Sequence, residues 1–259
     1  MLYFKYVKML IKSIMQYKLA LWMGIAGQLL VSFFAFLGIY LLFDRFGNID
    51  GWTFSEVALC FAVVSMSFSI TECFARGFDT FSQCIVKGDF DRLLLRPRGL
   101  ILQVFGSNLD IGRIGRLAQS IITLWLALSW LDVTFTAAKI FTLIFMILSG
   151  VFIFTGIFIL GATICFFTVQ GLEVVNIFTH GGRELASYPL NIYNKWIIRF
   201  FTFIIPFGCF NYLPLMYITD KAGGNELLYM LTPLMGILFI VPCIFVWRFG
   251  VRRYMSTGS

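Results

Sequence analysis

The sequence is short of charge. Asp, Glu, Lys and Arg make up 13% of its 259 residues, while 59% are hydrophobic. A soluble domain carries roughly a quarter of its residues charged. Half that share cannot cover a water-facing surface, which excludes a soluble globular fold and implies an integral membrane protein. The chain also lacks a metal or disulfide framework. Its six cysteines (Cys60, Cys73, Cys84, Cys165, Cys209, Cys243) form no CxxC pair, five of them lie in apolar runs, and His180 is the one histidine. No G-x-x-x-x-G-K-[ST] occurs, so this chain has no P-loop with which to hydrolyse ATP. Gly181-Gly182 and Gly223-Gly224 lack the following lysine and read as turns. Nucleophile-elbow and zinc motifs are absent as well. The net charge of +7 comes from cations flanking apolar runs, not from a basic face set with exposed aromatics. Nucleic acid is therefore not an expected partner.

Long apolar runs are what the sequence has. Between Lys18 and Asp44 lie 25 uncharged residues, and a second run from Val57 to Ala75 is broken only by Glu72. Leu117–Leu131 gives 15 residues without a charge, short for a span unless the helix starts near Gly112 with Arg113 and Arg116 snorkelling to the interface. Residues 140–172 are 33 without a charge, which predicts one long or kinked helix, with Gly150, Gly156 and Gly161 offering close packing. Phe200–Thr219 contains Pro206 and Pro214, so an unbroken helix is not expected there. A re-entrant region is expected over 206–226 on the extracytoplasmic side. Leu227–Trp247 closes the set, with Pro233 and Pro242 inside it.

Ahead of these runs, residues 1–18 place Lys5, Lys8 and Lys12 at helical spacing among apolar residues. That pattern predicts an amphipathic interfacial helix on an anionic leaflet. A secretory signal peptide is the rival reading, but the lysines spread too far and no small-residue cleavage site follows. The expected fold is an all-α integral membrane protein, an interfacial helix plus six transmembrane helices with both termini cytoplasmic. In that arrangement 17 cations fall on the inner side, and Arg45, Lys139 and Lys221 alone fall outside. The asymmetry sets the orientation. Lys221, as an isolated outer charge, is expected to tolerate reversal.

Two polar islands interrupt the apolar runs and are expected as cytoplasmic loops, 76–116 and 173–199. The first holds seven cations (Arg76, Lys87, Arg92, Arg96, Arg98, Arg113, Arg116) and four carboxylates (Asp79, Asp89, Asp91, Asp110). Gly88 and Asp89 read as a turn and helix start, Leu93, Leu94 and Leu95 as an apolar patch, and Pro97 as the end of the helix. The flanking Asp89, Asp91, Arg92 and Arg96 offer charge complementarity to a soluble partner. Glu72 is the ionisable residue inside a run. It reads either as a polar contact on a cargo path or as a structural ion pair with Arg76 at i,i+4. His180 reads as a loop residue.

The spacing Gly88-x-x-Asp91-x-x-Leu94-Leu95-Arg96-Pro97 resembles the first cytoplasmic loop of permease subunits of ABC type-2 exporters. Tyr188-Pro189-x-x-Ile192-Tyr193, Ile205-Pro206 and Tyr212-x-Pro214 are similar to a second block of the same branch. The resemblance covers essentially the whole chain. It implies a second permease, identical or related, and two copies of a separate ATPase, which would carry the ATP and magnesium; no cofactor is expected on this chain. It also implies that Gly88, Asp89, Asp91, Arg92, Leu93, Leu94, Leu95, Arg96 and Pro97 form the element that couples to the ATPase. The cargo expected from the charge-poor spans is small and amphipathic or hydrophobic, and the location is the cytoplasmic (inner) membrane. The alternative from another class is a membrane-embedded enzyme or scaffold without an ATPase.

Overall fold

A computed structural model describes residues 2–168 and 176–255, with side chains from Lys8 onward. Among these residues the regular structure is helical. The chain begins with α1 (Leu2–Ile14), breaks at 15–17 and continues as α2 (Lys18–Phe46) and α3 (Phe54–Phe74). Lys8 and Lys12 are exposed on α1. Thr53 starts α3 through a capping box, in which the Thr53 amide donates to the Glu56 carboxylate at 2.9 Å. The first island folds into four short helices, α4 (Arg76–Asp79), α5 (Phe81–Val86), α6 (Asp89–Leu94) and α7 (Leu100–Phe105). A 3-10 turn at Ile111–Arg113 leads into α8 (Ile114–Trp130), so the third apolar element does begin near Gly112. Then come α9 (Ala137–Ile164), a π-helical turn at Ile177–Gly181, α10 (Gly182–Ala186) and α11 (Lys195–Phe203). A second π turn at Gly208–Tyr212 precedes α12 (Leu213–Ile218), α13 (Glu226–Leu231) and α14 (Pro233–Arg253).

Four described helical stretches are long and apolar enough to cross a membrane: Lys18–Phe46, Phe54–Phe74, Ala137–Ile164 and Glu226–Arg253. With 21 residues, α3 rises roughly 31 Å, about the thickness of a hydrocarbon core. It is also the most enclosed of the four, and the other elements assemble around it. The apolar run expected at 140–172 becomes the single helix α9 as far as Ile164; residues 169–172 lie outside the described part.

Small residues set the packing. Added side-chain atoms at Gly236, Gly156 and Gly250 would strike Ser149, Cys243 and Thr163 respectively. These pairs recur every seven residues, so α9 and α14 run parallel in close register. Gly150 meets Ser67 of α3 in the same way, while the Ser67 and Thr71 hydroxyls donate to the carbonyls of Ile147 and Val151. Gly150 and Gly156, two of the three glycines expected to pack closely, are thus used inside the chain.

The second island, expected as a cytoplasmic loop over 173–199, is described from residue 176 (173–175 lie outside the described residues). From 176 onward it runs along α3 toward the end opposite the first island. The His180 ring meets Phe68 at 5.3 Å, Cys60 Sγ donates to the Ala186 carbonyl at 3.4 Å, and Asn191 accepts from Trp52 Nε1 at 2.8 Å. Asn191 also donates to Asp50 at 2.6 Å. Asn191 therefore shares an end with the α2–α3 connection. One face of this stretch, with Gly182, Arg183 and Ala186, packs on α3 and Phe207, while His180 and Glu184 stay exposed. Composition shows only the polar residues, not the face that packs.

The next excursion starts and finishes at that same end. Phe200 of α11 stacks on Phe178, Phe207 and Phe210 pack on Phe154, and Asp220 returns to pair with Lys139 at 2.7 Å. The two limbs, Lys195–Phe203 and Gly208–Ile218, meet at 87°. Lys221, expected to stand alone, donates to Glu56 at 2.7 Å and to the Gly51 carbonyl at 3.0 Å, with its ammonium 4.4 Å from the centre of the Trp52 ring.

Candidate functional site: the island helix and the charge node beneath it

The island is a compact platform rather than a tether. Gly77 lies so close to the Val104 carbonyl that a Cβ there would come within 1.8 Å of the oxygen, which locks α4 onto α7. Gly88 takes a left-handed conformation (φ 69°) and starts α6 at Asp89. The helix ends at Leu94, ahead of Pro97. Buried Gln103 then pins the following turn by donating to the carbonyls of Leu93 and Arg98 at 3.2 and 3.0 Å.

Phe90 anchors this helix. It is fully buried, with ring centres 5.3 Å from Phe81, 5.3 Å from Phe166 and 4.9 Å from Tyr254. Phe81 and Phe166 in turn pack on Trp247 of α14. With Phe90 inward, Leu94 and Leu95 point out, and Leu95 is 85% exposed. Arg92 and Asp89 pair at 3.0 Å on the surface, and Asp91, Arg96 and Pro97 share that surface. Beside it lies a polar groove of about 310 Å³ lined by Lys87, Asp89, Arg92, Leu93, Arg96 and Cys84 among others. Burial, and secondarily the Asp89 charge, push the Cys84 thiol up to about 11, so it stays protonated at neutral pH. Tyr254 is raised by desolvation and by Asp91, which joins the island helix to the end of α14.

Beneath the platform, three arginines converge on one carboxylate. Arg116 reaches Glu72 Oε2 at 2.6 Å, while Arg113 and Arg76 lie 3.3 and 3.5 Å from Oε1. Glu72 has no exposed side-chain surface. Gln28 of α2 accepts from Arg113 at 3.1 Å and from Arg116 at 2.9 Å, and Asp110 accepts from Arg113 at 3.1 Å. Arg76 holds Asp79 at 2.5 Å. The node thus ties α2, α3, α4 and α8 together at the island end. Glu72 does meet Arg76, as its i,i+4 spacing suggests, but its nearest partner is Arg116, 44 positions away. Arg113 and Arg116 turn inward to Glu72 instead of snorkelling. Sequence separation hid this convergence; the polar residues Gln28 and Gln119 within apolar runs were the available signal, and Gln119 accepts from Ser32 of α2 at 2.6 Å.

Helices, islands and spacing point to one family, and the comparison agrees. A family described as ABC-2 family transporter protein matches residues 29–258. The chain belongs to the ABC-2 transporter family. It is a multi-pass membrane protein and a permease subunit of the ABC transporter kind, a transport subunit rather than an enzyme. No curated protein and no solved structure matches it. Among the described residues of this ABC-2 permease no three His, Cys, Asp or Glu side chains are grouped to hold a metal ion.

Proposed function

We propose that this permease works as one half of the membrane pathway of an ATP-driven exporter, with α6 as the element that docks on a separate ATPase. The observation carrying this reading is the pairing of a buried anchor with an exposed tip on one short helix. Phe90 is rooted in the aromatic cluster at the ends of α9 and α14, while Leu94 and Leu95 stand in solvent between Arg92 and Arg96. Exposed leucines ringed by charge suit a partner groove, where the apolar tips bury area and the charges fix register. Movement of a docked partner would pass through Phe90 into α14.

In this reading the island end is cytoplasmic, in the inner membrane, and two ATPase copies supply ATP and magnesium to a pair of permeases, identical or related. Six crossings result: α2, α3, α8, α9, the segment ending near Asn191, and α14. The fifth crossing precedes Lys195 and Arg199, which moves both to the outer side and leaves 14 cations inside, five outside and Arg183 between them. The asymmetry still favours a cytoplasmic island.

Leu94→Ala combined with Arg92→Glu tests the docking role. Losing a desolvated charge contact costs roughly 2–5 kcal/mol at an interface. The variant is expected at normal membrane levels, with weakened recovery of a co-purifying P-loop ATPase and no export. Leu227→Ala, exposed on α13, serves as control. Wild-type export with the ATPase still bound would refute the role of α6.

A further inference from the structure

Asn176, His180 and Glu184 recur every four residues and are all exposed, the Glu184 side chain to 56%. Their depth follows from α3. His180 and Arg183 meet the ring of Phe68, and Ala186 meets Cys60; both α3 residues lie well inside a helix that spans the full apolar thickness. Glu184 therefore stands near the middle of the bundle, ion-paired to the mostly buried Arg183. At the island end the same face opens onto a polar cavity of about 280 Å³ lined by Arg76, Asp79, Ser82, Gln83, Asn176 and His180.

A carboxylate at this depth cannot face lipid without a large penalty. The exposed faces of other spans are apolar, as with Trp22, Leu30 and Phe34 on α2 or Leu238, Phe245 and Phe249 on α14. The polar stripe is the departure from that pattern, and it is open on one side. We propose that the Asn176–His180–Glu184 stripe and the cavity below it form a cargo-contact surface, one wall of a water-filled path closed by the same stripe of a second copy. The charge pattern selects the cargo class. Arg76 is answered by Asp79 and Arg183 by Glu184, so a bare ion gains little, whereas a zwitterionic head on an amphipathic cargo finds both partners. The inference rests on the permease reading, yet its test needs no ATPase.

Single cysteines replacing His180 and Glu184, in a variant free of native cysteines, would be reacted in liposomes with a charged, water-soluble methanethiosulfonate. Both should react at least about tenfold faster than a cysteine at Leu148, which is exposed on an apolar face. Equal rates would overturn the wet stripe. In the wild-type protein, carbodiimide coupling of glycine ethyl ester should modify Glu184 and spare Glu72, and an unmodified Glu184 would count against the proposal without any substitution. A short bismaleimide should join two copies through Glu184→Cys; failure to do so in a sample whose introduced thiol reacts would overturn closure by a second copy. Submicellar octylphosphocholine should slow labelling at position 180 more than octyltrimethylammonium or octyl sulfate. Equal or better protection by either ion would overturn the cargo class. ATPase co-purification from the same membranes is scored separately: a wet Glu184 without an ATPase counts against the exporter reading alone, and a dry Glu184 with one counts against the stripe alone.

Discussion

At the scale of single residues, two charges carry more than their sequence positions suggest. Glu72 is the common acceptor for Arg76, Arg113 and Arg116, and removing its charge leaves three guanidinium groups at the node without it. Breaking a buried pair from one side costs roughly 3–5 kcal/mol. Glu72→Gln should therefore lower the melting temperature of the detergent-solubilised protein by several degrees, and adding Arg116→Gln should restore part of the loss. Unchanged melting would mean the node is not a fastening. Lys221 is the second case. As an outer cation it was expected to tolerate reversal, but it bridges Glu56, the Gly51 carbonyl and the Trp52 ring. Lys221→Glu sets two carboxylates together and should cost roughly 1–3 kcal/mol. The exchange of Lys221→Glu with Glu56→Lys should recover much of it in the same melting assay. A single variant as stable as wild type would contradict the contact.

At the scale of elements, the long apolar runs were legible because apolar length and charge exclusion act locally. The runs behind α2, α3 and α9 fold as helices, and the Gly88 turn and Pro97 stop bound α6 as their backbone preferences dictate. The second island was not legible. His180, Arg183 and Glu184 look like a solvated loop by composition, and only packing on Phe68 places them in the bundle. The prolines at 206 and 214 did signal broken helix, and the 87° bend lies between α11 and the limb that holds Pro214. The proposed position of the fifth crossing is directly testable. A single cysteine at Asn194 should react with an impermeant thiol reagent in intact cells, as should one at Asn48, while one at Gly99 should not. Protection of Asn194 together with labelling of Asn48 would return the segment to the cytoplasmic side.

At the scale of the whole molecule, the contacts describe a bundle with two unlike ends. One end is latched by Lys139–Asp220, Lys221–Glu56 and Asn191–Trp52. The other carries the island, fastened to the spans by the Glu72 node and by the aromatic cluster around Phe90. The bounds of α6 were legible from the Gly88 turn and the Pro97 stop. Its anchor was not, because Phe90 looks like any other of 31 phenylalanines until Phe81, Phe166 and Tyr254 are brought around it. The central claim is that this island end, through α6, meets an ATPase. The most direct measurement places a photo-activatable benzoylphenylalanine at Leu95, and separately at Trp196 near the opposite end, then illuminates the assembled complex in its membrane. The account predicts an adduct from position 95 that mass spectrometry identifies as a P-loop ATPase, and none from position 196. An ATPase adduct from position 196, or none from position 95 in a complex that retains the ATPase, would contradict it.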